Sequence, residues 1–222
     1  MGVAYNTSVV TNGLVVHLDA ANKKSYAGSG STWTDLTGNN YNANLSSTGS
    51  PPTYGPGYFT YNGTSNESLI TNPGALTRFT VEAWAYPTGY SGAACVVSDS
   101  YPGTTSQINY CINAQGAWFG GLYQAGWYYS PSMAWTLNAW QQVVYTFDGT
   151  NQSIYVNGVS GGSTTTYSGN PGNSTVGVKI ARRWDIADYM AGRVANIKIY
   201  NRALSLQEIQ QNFNALRGRY GI

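Results

Sequence analysis

Alternation of apolar and polar residues dominates the sequence, and it is clearest at residues 79–86. Phe79, Val81, Ala83 and Ala85 alternate there with Thr80, Glu82, Trp84 and Tyr86. Successive side chains of a β-strand point to opposite faces of the sheet, so this period of two predicts a strand. Shorter runs predict further strands at residues 14–19, 33–36, 42–45, 58–61, 68–70, 94–98, 107–113, 117–123, 127–130, 139–147, 153–159 and 178–181.

Turn residues separate these strands at short spacing. The signals are Asn62-Gly63 between residues 58–61 and 68–70, Asp148-Gly149-Thr150, and Asn157-Gly158. Glycine or proline interrupts the four runs within residues 94–130, which predicts a meander. Residues 160–175 are rich in Gly, Ser and Thr and predict a loop.

Near the C-terminus the pattern changes from that of a strand to that of a helix. Ala195, Ile197 and Ile199 alternate with Asn196, Lys198 and Tyr200. This alternation predicts a half-buried strand with one apolar face and one face in water.

The helix start that follows is specified twice. Ser205 and Glu208 have the spacing of a capping box, and Leu204 and Ile209 that of a hydrophobic staple. Apolar residues then recur at helical steps, at Leu206, Ile209, Phe213 and Leu216, with Gly218 as the predicted C-cap. A short amphipathic helix is therefore expected to lie on a sheet.

A dozen short strands without intervening helices predict an all-β fold, a two-sheet antiparallel jelly-roll sandwich with one short C-terminal helix. The 222 residues suit one such domain, and 19 Tyr, 7 Trp and 27 Gly with 9% charged residues favour strands and turns. We expect an N-terminal arm at residues 1–12, the domain at residues 13–216 and a tail at residues 217–222.

Several motifs carry a family resemblance. Gly192, Val194 and the run Ile197-Lys198-Ile199-Tyr200-Asn201-Arg202-Ala203-Leu204-Ser205, followed by Glu208-Ile209, resemble the closing strand and helix of laminin-G-like domains in the concanavalin A-like lectin/glucanase superfamily. Residues 140–158 resemble the central hairpin of these domains, and residues 14–19 and 33–39 their opening. The tail at residues 210–222 is similar to versions of the domain in virion proteins of tailed bacteriophages.

Charge changes the picture little. The formal net charge is +2, and residues 179–222 hold 8 of the 11 Lys and Arg residues. Without aromatic residues interleaved on a nucleic-acid-binding fold, this basic segment indicates a solvated face or a dock for an acidic partner, not nucleic acid. We read neither a signal peptide nor an apolar run of membrane-spanning length. That is expected of a virion protein assembled in a host cytoplasm, or alternatively of a fragment of an extracellular protein.

Catalysis is not indicated. Glycosidases of the superfamily need two carboxylates flanking one bond, and Glu82 is alone on its predicted strand. The single histidine, His17, has no neighbouring Ser or Cys signature for a triad. Cys95 and Cys111 lie on consecutive predicted strands, where they either bond or, as we favour, stay free. The sequence predicts a protein that is not an enzyme.

Calcium is implied by the family resemblance, since many laminin-G-like domains hold it with loop oxygens. The available oxygens are Asp19, Asp35, Asn39, Asp185 and Asp188. The Asp-Glu that often follows in the family's closing motif is Ala195-Asn196 here, which removes negative charge. The alternative is that these residues cap turns.

Glycan binding needs exposed aromatic rings beside a few polar groups. The candidates are Tyr123, Gln124, Trp127, Tyr128, Tyr129 and Trp184. Trp84, Trp118 and Trp140 lie within alternating strands and are expected in the core or on a sheet face.

The chain ends predict association. Val9, Val10, Arg217, Arg219 and Tyr220 lie outside the regular pattern, and such ends need a partner to be ordered. We therefore expect a non-enzymatic virion structural protein, a capsid decoration or fibre component, that contacts other virion subunits or further copies of itself and adheres to a host-surface glycan. The alternative is a free-standing carbohydrate-binding module.

Overall fold

Two antiparallel β-sheets pack face to face in the computed structural model, which describes residues 8–47, 50–99, 110–124, 126–165, 167–171 and 176–222. The strands are β1 (Leu14–Asp19), β2 (Thr32–Trp33), β3 (Ala43–Asn44), β4 (Thr53–Gly55), β5 (Tyr58–Asn62), β6 (Ser68–Ile70), β7 (Phe79–Tyr90), β8 (Cys95–Asp99), β9 (Cys111–Ala114), β10 (Ala117–Tyr123), β11 (Trp127–Tyr129), β12 (Met133–Ala134), β13 (Gln141–Phe147), β14 (Gln152–Val156), β15 (Val159–Thr164), β16 (Val178–Ile180) and β17 (Met190–Tyr200). Helix α1 (Leu206–Leu216) and a 3₁₀ helix (Arg217–Tyr220) follow. The predicted all-β sandwich with one short C-terminal helix is confirmed.

Both sheets mix strands from distant parts of the chain. Sheet A has the order β15-β14-β13-β7-β17-β5-β4, and β1 also pairs with β17. Sheet B has the order β11-β10-β9-β8-β16-β6-β3-β2, and β12 also pairs with β10. The chain therefore crosses repeatedly between the sheets, as in a jelly roll. The predicted meander is confirmed by the sequential pairing of β8, β9, β10 and β11. Residues 107–109 of the predicted strand there lie outside the described residues.

The core lies between the sheets and consists of the inward-facing residues of each strand. Phe79, Val81 and Ala83 of β7 meet Ile112 and Trp118 of sheet B in one buried cluster. Each large apolar side chain buried in this way contributes about 1.5–3 kcal/mol. The period of two along β7 therefore decides which face of sheet A is the core face.

Two predicted connections are different in the structure. Asn62-Gly63 does not close a hairpin, because β5 lies in sheet A and β6 in sheet B. The Asn62 carboxamide oxygen accepts hydrogen bonds from the backbone N–H groups of Thr64 and Ser65 and bends the chain between the sheets. Residues 159–164 are strand β15 instead of the start of a loop, because the turn at Asn157 (φ 52°) and Gly158 (φ 74°) pairs them with β14.

Helix α1 begins as predicted. The Ser205 side chain accepts a hydrogen bond from the Glu208 N–H, and the Glu208 carboxylate accepts one from the Ser205 N–H at 2.9 Å. Leu204 and Ile209 share a buried cluster, whereas Leu206 is 41% exposed and lies off the packed face. The predicted C-cap Gly218 is wrong: the chain continues as a 3₁₀ helix, and Gly221 adopts the left-handed conformation (φ 74°).

The face of β17 that was expected in water is buried. Asn196, Lys198 and Tyr200 are fully buried, because α1 covers the outer face of sheet A. Lys198 Nζ donates to Glu82 Oε1 at 2.8 Å, and Asn212 of the helix donates to the other Glu82 oxygen at 2.7 Å. A polar network is thus sealed between helix and sheet.

The chain ends pack on their own domain. Val10 is buried, its N–H donates to the Asn212 side chain at 2.8 Å, and its carbonyl accepts from the Tyr200 hydroxyl at 3.0 Å. Tyr220 stacks on Trp84 with ring centroids 4.1 Å apart, and Arg219 pairs with Asp19 at 2.8 Å. The expectation that these ends need a partner to be ordered is therefore wrong for Val10, Arg219 and Tyr220.

Two of the predicted contact residues are less enclosed. Val9 is half-buried. Arg217 is exposed, with its guanidinium 5.9 Å from the centre of the Phe213 ring. Residues 1–7 of the predicted arm lie outside the described residues.

Replacing Ser205 with alanine should lower the free energy of unfolding by about 1 kcal/mol, because the hydroxyl satisfies one of the free N–H groups of the first helical turn. Urea unfolding followed by circular dichroism measures this loss. The control is Ser132→Ala in an exposed loop, which should leave stability unchanged. Equal midpoints for both variants would show that packing alone holds the helix.

Candidate functional site

The candidate site lies on the outer face of sheet B, where β9, β10 and β11 present the side chains that alternate with the core. Ile112 and Trp118 point inward, so Cys111, Phe119 and Tyr123 point outward. Large rings lie against both faces of β10 at Gly120 and Gly121, and these two residues leave room for them because they have no side chain. A Cβ on Gly120 would overlap the core ring of Tyr145, and one on Gly121 would lie 3.0 Å from the outer ring of Tyr129.

Four aromatic rings meet on this face. Trp127 and Tyr129, two residues apart on β11, have ring centroids 5.4 Å apart and an interplanar angle of 4°. Tyr123 meets Trp127 edge-on at 5.3 Å, and Phe119 meets Tyr129 edge-on at 5.4 Å. Tyr129 remains 41% exposed, so the parallel pair offers a ring surface to solvent.

Charged groups border the rings. The Arg183 guanidinium lies 4.7 Å from the centre of the Trp127 ring. Asp185 accepts two hydrogen bonds from Arg183, at 2.7 and 2.9 Å, which fixes the guanidinium plane. We call the set Phe119, Tyr123, Trp127, Tyr129, Arg183 and Asp185 the sheet-B platform.

Beneath the platform lie two buried, free thiols, Cys95 and Cys111. Asn113 donates to Cys111 Sγ at 3.2 Å and Gln115 donates to the Asn113 oxygen at 3.0 Å. Burial raises the pKa of Cys95 well above its usual value, so this thiol stays protonated. These groups support the rings from below.

The structure brings together only part of the predicted glycan set. Tyr123, Trp127 and Tyr129 lie on the platform, whereas Tyr128 points to the opposite face and contacts Tyr167, with centroids 5.0 Å apart. The Gln124 carboxamide donates to the backbone carbonyl of Pro171.

Trp184 also lies apart from the parallel rings. Its ring is 4.8 Å from Lys179 Nζ, and its backbone N–H donates to the Ser98 hydroxyl at 3.2 Å. Sequence reasoning missed Arg183 and Phe119, because neither stands in a motif that points to the rings of β11.

The predicted calcium ligands do not converge. The described residues contain no group of three or more His, Cys, Asp or Glu side chains suited to a metal ion. Asp19 pairs with Arg219 and Asp185 with Arg183. Asp188 accepts from the Ala93 N–H at 2.7 Å.

The opening loop is occupied in the same way. Asp35 accepts from the N–H groups of His17 and Thr37, and Asn39 donates to the Val15 carbonyl at 2.9 Å. Because these oxygens already serve turns and ion pairs, the donor set does not fit calcium, and we derive no role for a metal.

The residues considered for catalysis are also engaged elsewhere. Glu82 is fully buried with Lys198. Burial and the nearby Lys198 lower the pKa of His17 to about 4, so its imidazole is neutral near pH 7.

The jelly-roll order of the sheets defines a lectin-like domain of the concanavalin A-like fold. A family model described as the concanavalin A-like lectin/glucanases superfamily, of the laminin-G type, matches residues 57–210. The chain therefore belongs to this superfamily. The predicted similarity to bacteriophage virion proteins is not shown by the family match, and a comparison with curated protein sequences finds no match.

Solved structures share the fold at low sequence identity. A Trypanosoma rangeli sialidase matches with a TM-score of 0.71 and 21% identity over 95% of this chain and 34% of that chain. Domain 4 of the extracellular GH43 arabinanase AbnA from Geobacillus stearothermophilus, in complex with arabinotriose, matches with a TM-score of 0.70 and 15% identity over 90% of this chain and 97% of that one. The receptor binding domain of botulinum neurotoxin type G matches with a TM-score of 0.66 and 15% identity over 91% of this chain and 51% of that one. Our chain thus spans about a third of the sialidase. No helix among the described residues is long and apolar enough to cross a membrane.

Proposed function

We propose that the domain is a non-enzymatic carbohydrate-binding module and that its ligand lies on the sheet-B platform. The observation that carries the proposal is the parallel pair Trp127 and Tyr129, whose rings differ by 4° in orientation and of which Tyr129 is 41% exposed. Sugars place the apolar C–H face of the ring against such surfaces, because both surfaces shed water on contact.

The polar border of the platform supplies the orienting groups. Arg183 is held flat against Trp127 by Asp185, so its remaining N–H groups are oriented before a ligand arrives. Asp185 oxygens have lone pairs beyond those used by Arg183 and accept from sugar hydroxyls. Preorganised side chains lose little entropy on binding, which favours affinity.

The absence of catalysis is part of the proposal. Glycoside hydrolysis by the usual route needs two carboxylates about 5–10 Å apart on either side of a sugar bond. On the platform Asp185 is the one carboxylate, and it is held by Arg183 in a bidentate ion pair. Support for binding also comes from AbnA domain 4, which has the same fold and whose structure is in complex with arabinotriose.

Trp127→Ala should abolish glycan binding, because it removes a ring on which a sugar stacks and the ring against which Arg183 packs. Binding is measured by calorimetry with arabinotriose and by a printed array of neutral and sialylated glycans. The matched control is Tyr90→Ala, which removes a tyrosine that is 49% exposed but lies off the platform. The proposal fails if no glycan binds, or if Trp127→Ala and Tyr90→Ala bind alike.

Display of this module on a virion is a separate proposal. It is supported by the resemblance of residues 210–222 to bacteriophage virion proteins, and not by the packing of Arg219 and Tyr220, which serve their own domain. Adhesion to a host-surface glycan through the platform would join the two roles, with other virion subunits or further copies of the chain as partners. Secretion as a free extracellular module is the alternative.

A further inference from the structure

A second concavity lies on the opposite side of the sandwich, on the outer face of sheet A beside the 3₁₀ helix. Tyr58, Trp140 and Tyr220 line it, and Arg219 borders it. Ala21, Pro56 and Gly57 complete the rim. We call this volume of about 200 Å³ the sheet-A pocket.

The aromatic walls of the pocket are fixed by contacts with one another. Tyr220 stacks on Trp84 at 4.1 Å and meets Trp140 at 4.9 Å. Trp140 in turn meets Tyr86 at 5.6 Å and Tyr58 at 5.9 Å. The rings therefore hold their positions without a ligand, as preorganised pockets do.

The polar groups around the pocket favour a negative charge. Arg219 uses Nη1 for both oxygens of Asp19, at 2.8 Å each, and a guanidinium has five N–H donors, so donors remain for a ligand. Arg193 lies between Tyr58 and Tyr86, 4.8 and 4.7 Å from their ring centres, and forms no ion pair within the described part of the chain. Its charge is balanced by ring faces alone, so the surroundings keep an excess of positive charge.

Tyr220 adds a hydroxyl that lies beside the Arg219 guanidinium, a group that can only donate to it. Its oxygen is buried beside Arg219 and has no hydrogen-bond partner of good geometry among the described residues. Burial raises the pKa of Tyr220 above its usual value, so the phenol keeps its proton and adds no negative charge beside Arg219.

We propose that the sheet-A pocket binds a single sugar ring that carries a carboxylate, a hexuronate, with the carboxylate at Arg219 and the apolar ring face on Trp140. The planar fork of arginine matches a carboxylate, and indole and phenol rings match the C–H face of a pyranose. Ligand pockets for larger molecules run from roughly 300 to 1,000 Å³, so this smaller volume suits one ring. The inference does not depend on the sheet-B platform, and either site can fail without the other.

The test is a nuclear magnetic resonance titration of the ¹⁵N-labelled full chain with methyl β-D-glucuronide. The Trp140 indole N–H signal should shift on titration while that of Trp127 does not. Methyl β-D-glucoside, which lacks the carboxylate, and acetate, which lacks the ring, should each bind at least about tenfold more weakly, as expected from the loss of a hydrogen bond to a charged group or of ring stacking. Equal binding of glucuronide and glucoside, or shifts confined to Trp127, would overturn the proposal.

Variants locate the charge that matters. Arg219→Gln should weaken glucuronide binding about tenfold, whereas Arg217→Gln, which removes the same charge from the same 3₁₀ helix outside the pocket, should leave it unchanged. Trp140→Ala should also lose binding, and it tests the pocket even if the Arg219 variant loosens the tail. Trp127→Ala should have no effect here. Equal losses for Arg217→Gln and Arg219→Gln would reduce the effect to bulk charge and refute the site.

Discussion

Replacing Lys198 with methionine should destabilise the domain by about 3–5 kcal/mol, because it leaves the Glu82 carboxylate buried without its cation. Both side chains of this pair are fully buried, with Nζ and Oε1 2.8 Å apart. Asn196 and Asn212 complete the network through hydrogen bonds of 2.8 and 2.7 Å. Water cannot replace the lost ammonium under helix α1, so the cost is that of an unpaired buried charge.

The matched control is the double variant Glu82→Gln, Lys198→Met, which removes the charge together with its partner. The double variant should lose much less free energy of unfolding than the sum of the losses in the two single variants. It leaves no unpaired charge, and the carboxamide oxygen introduced by Glu82→Gln still accepts a hydrogen bond from Asn212. Urea unfolding of the four proteins measures the coupling. Additive losses would mean that the two side chains act independently.

Gly192→Ala should cost about 3 kcal/mol or more in the free energy of unfolding. The residue has φ 147°, and an added Cβ would overlap the backbone carbonyl oxygen of Tyr86 and lie 3.0 Å from Pro87 Cα. Gly192 lies at an irregularity in the pairing of β17 with β7, and strand pairs on either side of it hold the two backbones in place, so the Tyr86 carbonyl cannot move aside without breaking neighbouring pairs. The glycine that opens the family's closing motif thus lets β7 and β17 lie side by side.

Thermal melting of Gly192→Ala beside Gly218→Ala separates this clash from a general effect of glycine. A Cβ on Gly218 would meet nothing within 4 Å, so that variant should stay within about 0.5 kcal/mol of the parent. A Gly192→Ala protein as stable as the parent would show that the strands can separate locally at no cost.

The two proposed ligand surfaces lie on opposite outer faces of one sandwich. The sheet-B platform is neutralised at its border by the Arg183–Asp185 pair, whereas Arg193, which packs on Tyr58 at the sheet-A pocket, has no carboxylate partner among the described residues. A neutral glycan is therefore expected on one face and an acidic sugar on the other. The fold alone assigns neither function, and each depends on the rings and charges that its face displays.

Local patterns in the sequence determined the strands, the helix start and the fold class. The period of two at residues 79–86 places β7, and Ser205 with Glu208 places the start of α1, because each signal concerns neighbours within a few residues. The motif residues from Gly192 to Ile209 also identified the superfamily that residues 57–210 confirm. Three of the six predicted glycan residues, Tyr123, Trp127 and Tyr129, lie on the platform for the same local reason, since alternate residues of a strand share a face.

The remaining features were decided by groups that meet only in the folded chain. Lys198 looked like a surface residue because the helix that buries it lies beyond the strand pattern, and its partner Glu82 is 116 positions away. Asp19 looked like a metal ligand until Arg219, 200 positions later, was placed beside it. Arg183 had no signal of its own, since its role comes from β11 passing beneath it. The free-energy contribution of a charge or a ring depends on how far it is removed from water and on which groups it contacts. Both are decided by packing between segments that are distant in the sequence.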